Sequence, residues 1–317
     1  MRAFRSVWIL EVLLSSRVLP SPRRVLVFAM SITLKRCHAV FKKTERDLLK
    51  LSSSQQPAQV HSFRTTVRRL QTLLEEIIPQ RSRNQKKLLK LLGQIRKHTG
   101  KVRDLDVQLA ALRILKIPQE PRRKTQLMHR LIELRAKHEK KLRKVLTKST
   151  IRETKKRLKR AVKELDLKAL TLEGSHEPLP VAQKMLARVN APEARVTEDV
   201  LHRYRVVVKR ARYALEFAPK SAESDAFLAQ LKRLQDAIGD WHDWLTLTHA
   251  AAARLGDVNQ SSLVAALHNV TGGKFRRAVA TLSAAPMQLA RQPLSAPAPQ
   301  PQRKLGPTLA ERDSPAA

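Results

Sequence analysis

Two segments of the chain place a histidine and a row of basic side chains at helical spacing. His61 is followed by Arg64 and Arg68, and His202 is followed by Arg205 and Lys209. On an α-helix these positions lie within a narrow sector of one face. Cations stacked in this way repel one another, so the row suits a helix face that binds an anion. Arginine can grip phosphate oxygens with two parallel hydrogen bonds, and histidine adds a donor whose charge follows pH.

The basic rows belong to two similar segments, residues 60–69 and 201–210, which are 141 residues apart. A second pair, residues 100–104 and 239–243, recurs at an offset of 139 residues; each begins with Gly and ends with Asp. This offset is far longer than the roughly 20 to 50 residues of stacked solenoid repeats. The sequence therefore predicts a duplication of a domain-sized unit.

The elements that carry these segments are predicted to be helices. Residues 31–285 are rich in Leu, Ala, Lys, Arg, Gln and Glu, and nothing in them alternates with the period of a strand. The faces opposite the basic rows are apolar, with Val60, Val67, Leu70 and Leu74 in one segment and Leu201, Val208 and Leu215 in the other. An ordinary solvated charged face is the alternative, but recurrence of the row together with its histidine favours a ligand.

Helix breaks are predicted where proline, glycine or serine interrupts the pattern. These places are Ser52 to Pro57, Ile78-Pro79, Ile117 to Pro121, Gly174 to Pro180, Ala191-Pro192, Ala218-Pro219, Gly256 and Gly272-Gly273. They predict two copies of about four helices each, at about 30–172 and 180–285, which suggests paired helical bundles.

Charge is the dominant property of the composition. The 317 residues contain 63 Lys and Arg against 27 Asp and Glu, a formal net charge of +36. Such an excess favours a polyanionic partner. Aromatic residues make up only 4%, whereas proteins that bind single-stranded nucleic acid stack bases on exposed rings. Cys37 is the only cysteine, so no intramolecular disulfide can form, which fits the cytoplasm.

The two ends differ from the rest of the chain. Residues 1–29 contain short apolar runs that suggest a doubtful leader or, by our preferred interpretation, a misassigned start ahead of Met30. Neither run reaches the roughly 18 to 20 residues that span a bilayer. Residues 286–317 are rich in Pro and Ala and are predicted to be a disordered tail.

Carboxylates near the basic segments raise two other possibilities, a metal site and catalysis. Asp104 and Asp243 each follow a basic residue, as partners that fix an Arg or His would, and the single His242 lacks the ligand spacing of zinc motifs. Glu75 and Glu216 occupy matching places and are expected to orient neighbouring arginines. We therefore expect no metal.

Together these motifs resemble the CHAD family, the conserved-histidine α-helical domain. The resemblance covers roughly residues 30–285 and rests on four segments in order. They are Val60-His61-x-x-Arg64-x-x-x-Arg68-Arg69, Gly100-x-x-Arg103-Asp104, Leu201-His202-x-x-Arg205-x-x-x-Lys209-Arg210-x-Arg212-Tyr213, and Leu234-Gln235-Asp236-x-x-Gly239-x-x-His242-Asp243.

The resemblance implies an all-α fold of two pseudo-symmetric four-helix bundles with a basic channel between them. It implies binding of inorganic polyphosphate, no catalysis and no cofactor, in the cytoplasm and at polyphosphate granules. The channel residues carried over are His61, Arg64, Arg68, Arg69, Arg103, His202, Arg205, Lys209, Arg212, Lys232 and His242. Arg103 stands where the second copy has His242, so the channel need not be symmetric.

Two other function classes compete with this one. A nucleic-acid-binding protein could use the same charge, and binding of RNA or DNA at low salt is expected, but no helix-turn-helix, zinc pattern or set of stacking rings is apparent. A phosphate-hydrolysing enzyme would need a phosphate-cradling glycine loop or clustered carboxylates for two metals, and the sequence has neither.

Overall fold

The computed structural model describes residues 22–78, 81–117, 120–169, 177–189 and 196–285, with side chains except at 22–33 and 166–169. These residues form nine α-helices and no β-strand. The helices are α1 Pro22–Ser53, α2 Pro57–Thr72, α3 Arg83–Ile114, α4 Pro121–Val145, α5 Lys148–Ala169, α6 Pro178–Ala187, α7 Glu198–Leu215, α8 Ala222–Leu255 and α9 Ser262–Ser283. The predicted all-helical class is confirmed. The division into two similar bundles stays a prediction.

Helix ends follow the local chemistry of the sequence. Pro57 and Pro121 open α2 and α4, where their missing N–H leaves no hydrogen bond unmade. Ser82 and Ser221 cap α3 and α8, each with a side chain three residues later that bonds back to the cap. Gly256 ends α8 with φ of 87°, a conformation that favours glycine.

The predicted break at Gly272-Gly273 is wrong, because α9 runs through both residues. Glycine costs a helix interior about 1 kcal/mol relative to alanine. Here Leu267, Thr271 and Ala278 are buried on either side of the pair, so packing of the helix face outweighs the local preference. The predicted breaks at residues 174–176 and 191–192, and the terminal segments 1–21 and 286–317, lie outside the described residues.

The apolar side chains form three main clusters. The first core lies among α1, α2, α5 and the N-terminal half of α3, with Phe41, Phe63, Leu70, Leu92 and Leu158 buried. The second core lies among α6, α7 and the N-terminal half of α8, with Met185, Val208, Leu215, Phe227 and Leu231 buried.

A shared core joins the two halves of the chain. The C-terminal half of α3 and the first part of α4 pack there against the C-terminal half of α8 and the first part of α9. Leu109 and Leu127 lie on one side, and Trp244, Leu247 and Leu263 on the other. The long helices α3 and α8 therefore each contribute to two cores, and α2 and α7 pack against each other beside them.

Candidate functional site

The two basic rows meet where α2 packs against α7. In α2, Val60, Phe63 and Val67 are buried in the first core, which leaves His61, Arg64 and Arg68 on the remaining faces. In α7, Leu201 and Val208 are buried, and Arg205 and Lys209 point elsewhere. Because α2 contacts α7, these cations lie at one junction.

A cavity of about 290 Å³ lies at this junction. Five basic side chains and one carboxylate, Glu75, line it together with polar and apolar residues. The basic side chains are Arg68, Arg96, Arg205, Lys209 and Arg210. The cavity is therefore strongly positive, the property expected of a pocket for an anion.

Arg68 lies at the centre of this charge. Its guanidinium lowers the pKa of Arg64, Arg96, Arg205 and Lys209 by repulsion, in addition to the larger effect of their burial. No carboxylate of the described residues lies within ion-pair distance of Arg68. The cations at the junction are thus held close together without matching negative charge.

Lys209 shows the electrostatic cost most clearly. Its amine is mostly buried, and burial together with Arg205 and Arg68 lowers its pKa to about 7, although Asp243 acts in the opposite direction. A bound anion at the cavity would favour the charged amine.

Arg64 is positioned by close approach to α3. Its Nη1 donates to the backbone oxygen of Arg96 at 3.1 Å. A Cβ at Gly100 would lie 2.7 Å from that Nη1 atom, so the absence of a side chain at Gly100 lets the guanidinium reach this place. Burial, and after it Arg68, lowers the pKa of Arg64 to about 10.

The other end of the junction carries the histidines of the second half. The rings of His202 and His242 lie 5.7 Å apart, and His242 Nδ1 is 3.7 Å from Asp243 Oδ1. Asp243 is also 4.0 Å from Arg205 Nη2. Asp243 therefore lies beside both an Arg and a His, as expected of a buttressing carboxylate.

His61 and Arg103 occupy the first half of the same region. Burial and then Arg103, Arg64 and neighbouring arginines lower the pKa of His61, and burial and then His242 lower that of His202. Asp104 is exposed on α3, and its charge acts on both Arg64 and Arg205. The matching carboxylates thus serve the two rows jointly.

Arg69 and Arg212, which were carried over as channel residues, are engaged by a carboxylate. Arg69 donates to both oxygens of Glu216, at 2.5 and 3.2 Å, and Arg212 Nη1 donates to Oε1 at 2.5 Å. Burial opposes the charge of Arg69, but the Glu216 hydrogen bond and charge outweigh it and raise the pKa. Both guanidinium carbons lie over the Tyr213 ring, at 5.7 and 4.6 Å. Their donors are therefore largely used within the protein.

Lys232 is exposed on α8, where it shares a face with Gln235, Gly239 and His242. Arg212 Nε donates to Gln235 Oε1 at 2.7 Å, so this face of α8 adjoins the engaged arginines. Lys232 does not line the cavity between α2 and α7.

Sequence reasoning missed Arg96, which lines the cavity and whose pKa is lowered by burial and then by Arg68. A signal was present, because Arg96, Gly100 and Arg103 follow helical spacing on one face of α3. Across the duplication, Arg96 aligns with Gln235. The two halves therefore supply different groups at the same place.

The described residues contain no group of three or more His, Cys, Asp or Glu side chains arranged to hold a metal ion. None of the helices in the described ranges is long and apolar enough to cross a membrane.

Comparison with known proteins identifies the family. The CHAD domain matches residues 33–252. Among solved structures, the chain is similar to the crystal structure of the CHAD domain from the plant Ricinus communis, with a TM-score of 0.57 and 19% identity over 83% of this chain and 90% of that chain. That likeness concerns the fold. No curated protein sequence matches the chain. Because the match spans well over half of its length, the chain belongs to the CHAD family.

Proposed function

We propose that the cavity between α2 and α7 binds inorganic polyphosphate without catalysis. The observation that carries the proposal is the position of Arg68, which stands among Arg64, Arg96, Arg205 and Lys209 with no described carboxylate in ion-pair distance. Cations held together in this way are costly to the free protein and favourable once an anion lies between them.

Polyphosphate suits this site better than a nucleic acid does. It is a flexible chain of phosphates without bases, so it requires cations along a path and no stacking surface. The cavity lining contains one aromatic residue, Tyr213, and its ring is covered by Arg69 and Arg212. Affinity then comes largely from counterion release and falls with salt.

The proposal includes the duplicated architecture. The two halves, at about 30–172 and 180–285, are copies of one helical unit, and the channel runs between them past His61, Arg103, His202 and His242. Arg69 and Arg212 shape the channel wall through Glu216 rather than gripping the ligand. We place the protein in the cytoplasm and at polyphosphate granules.

The test is titration calorimetry of the full chain with polyphosphate of graded length and with single-stranded RNA of matched charge, at near-physiological salt. The double variant Arg64→Ala, Arg205→Ala is expected to weaken polyphosphate binding at least tenfold. The control, Arg254→Ala with Arg277→Ala, removes two exposed arginines elsewhere and should change affinity less than about threefold. Equal losses in both variants, or equally tight RNA binding that depends on Arg64 and Arg205, would contradict a polyphosphate site.

The absence of catalysis is tested separately with alanine at Asp104 and Asp243. If these carboxylates buttress the basic rows, the variants lose binding or stability. Polyphosphate turnover by the parent protein that disappears in the variants while binding persists would instead make the protein an enzyme.

A further inference from the structure

A second basic surface lies on the opposite side of α3 from the cavity. We name it the outer face, and define it by ten exposed cations on two neighbouring helices. They are Lys86, Lys87, Lys90, Lys97 and Lys101 of α3 and Lys148, Arg152, Lys156, Lys159 and Lys163 of α5. Helices α3 and α5 pack against each other in the first core.

Each helix presents its cations as a straight row. In α3 the row follows helical spacing and turns away from the buried Leu88 and Leu92, while Arg96 and Arg103 lie on a third side toward the cavity. In α5 the row lies opposite the buried Leu158. Each row is about 22 Å long at 1.5 Å per residue. The outer face is therefore distinct from the proposed polyphosphate site.

The outer face carries almost no compensating charge. Residues 83–103 of α3 contain no Asp or Glu. In α5, Glu153 pairs with Arg157 at 2.5 Å, and Glu164 accepts a hydrogen bond from Ser82 at 2.7 Å. None of the ten cations lies within ion-pair distance of a described carboxylate.

We propose that the outer face binds the phosphate backbone of double-stranded nucleic acid. Two rigid rows of cations on packed helices, about 8 to 10 Å apart at their axes, match a rigid, densely charged rod. Neither α3 nor α5 contains a Phe, Tyr or Trp on which a single strand could stack. The exposed large apolar side chains of the described chain, such as Ile114 and Ile132, lie outside these rows, so the face has nothing to insert into a lipid layer.

The proposal is tested by fluorescence anisotropy of a labelled 20-base-pair DNA duplex with the full chain, over a series of salt concentrations. The outer-face variant combines Lys90→Gln, Lys97→Gln, Lys156→Gln and Lys159→Gln, which keep helix-forming residues at exposed positions. The charge-matched control combines Lys184→Gln, Lys220→Gln, Arg254→Gln and Arg277→Gln, all exposed in the second half.

The outer-face variant is expected to bind the duplex at least tenfold more weakly at 100 mM salt. The slope of log affinity against log salt should fall by about 3 to 4, because each phosphate that the protein no longer neutralises lowers the slope by about 0.9. The control should change affinity less than about threefold, and the Arg64→Ala, Arg205→Ala variant should leave duplex binding intact. Variants of α3 alone and α5 alone should each show about half of the change in slope.

Three results would overturn the proposal. Equal weakening by the control would mean that overall charge is responsible. Loss of duplex binding on substitution of Arg64 and Arg205 would place the duplex in the cavity. Vesicles with 30% anionic lipid that bind through the outer face, with duplex binding unchanged in the outer-face variant, would identify a membrane surface instead.

Discussion

Arg69 of α2 and Glu216 at the end of α7 form a two-bonded ion pair that joins the halves of the chain, with Nε to Oε2 at 2.5 Å and Nη2 to Oε1 at 3.2 Å. Glu216 also accepts from Arg212, so one carboxylate holds two guanidinium groups beside Tyr213. The pair fixes the angle at which the two basic rows face each other.

Glu216→Gln is therefore expected to lower the free energy of unfolding by about 1.5 to 3 kcal/mol, because it removes the charge that two half-buried arginines share. Urea denaturation measures the change. Glu75→Gln is the matched control, since Glu75 lies 3.9 Å from Arg81 and accepts from Gln71, and its loss should be smaller. Equal losses would show that Glu216 has no special role at the junction.

Gly100→Ala should weaken polyphosphate binding severalfold without loss of stability. The new Cβ displaces the Arg64 guanidinium from the Arg96 oxygen, while replacing a helical glycine stabilises the helix by up to about 1 kcal/mol. Gly239→Ala is the control, because a Cβ there meets nothing within 4 Å. Calorimetry and thermal melts would contradict the positioning role of Gly100 if both variants bind alike.

Polyphosphate affinity should fall as the pH rises above 7. The pKa of Lys209 is lowered to about 7, so the amine is mostly neutral above that pH and must take up a proton when an anion binds. Below pH 7 it is already charged. The lowered pKa values of His61 and His202 confine their added affinity to pH below their ordinary 6.5.

Calorimetry at pH 8 in two buffers of different ionisation enthalpy measures this proton uptake. Lys209→Arg should abolish most of the uptake and flatten the pH profile above 7, because arginine stays charged. Lys232→Arg, at an exposed position away from the cavity, should leave the profile as it is. An unchanged uptake in Lys209→Arg would assign the proton to another group.

The same residue should lower the stability of the free protein. Because its folded pKa lies below the unfolded value, the unfolded chain binds more protons between about pH 7 and 10, and stability rises with pH over that range. Lys209→Met should therefore raise Tm by a few degrees at pH 7 and by little above pH 10, while polyphosphate affinity falls. A lower Tm at pH 7 would show that the amine stabilises the fold.

Asp106→Asn should destabilise the protein by about 1.5 to 3 kcal/mol, because the buried Asp106 carboxylate accepts from Arg135 Nε at 2.7 Å and ties α3 to α4. Asp104→Asn, two residues earlier and exposed, should cost less than about 0.5 kcal/mol. Denaturant titration of the pair separates the two roles of this acidic segment.

The sequence predicted well those features that depend on local pattern. Proline and serine positions located the starts of α2, α3 and α4, and the spacing of Val60, Val67 and Leu70 located the buried face of α2. The motifs also identified the CHAD family correctly. These features follow from helix periodicity and capping, which need no knowledge of distant partners.

Features that depend on contacts between distant segments were beyond the sequence. Nothing near Arg69 shows that Glu216, 147 residues away, holds it. Likewise the burial of Lys209 arises only where α7 meets α2, and Arg96 joins the site because α3 passes beside Arg64. The double glycine at 272 and 273 misled for the same reason, since its helix is stabilised by tertiary packing.

The long helices α3 and α8 also determine how the protein unfolds. Each begins in one half's own core and ends in the shared core, so neither half can lose its packing without exposing Leu109 or Leu247 to water. The halves are therefore mechanically interlocked, and the chain should melt in a single cooperative transition rather than as two independent domains. A gene cut between the copies would yield two pieces that are each sticky alone and reassemble on mixing.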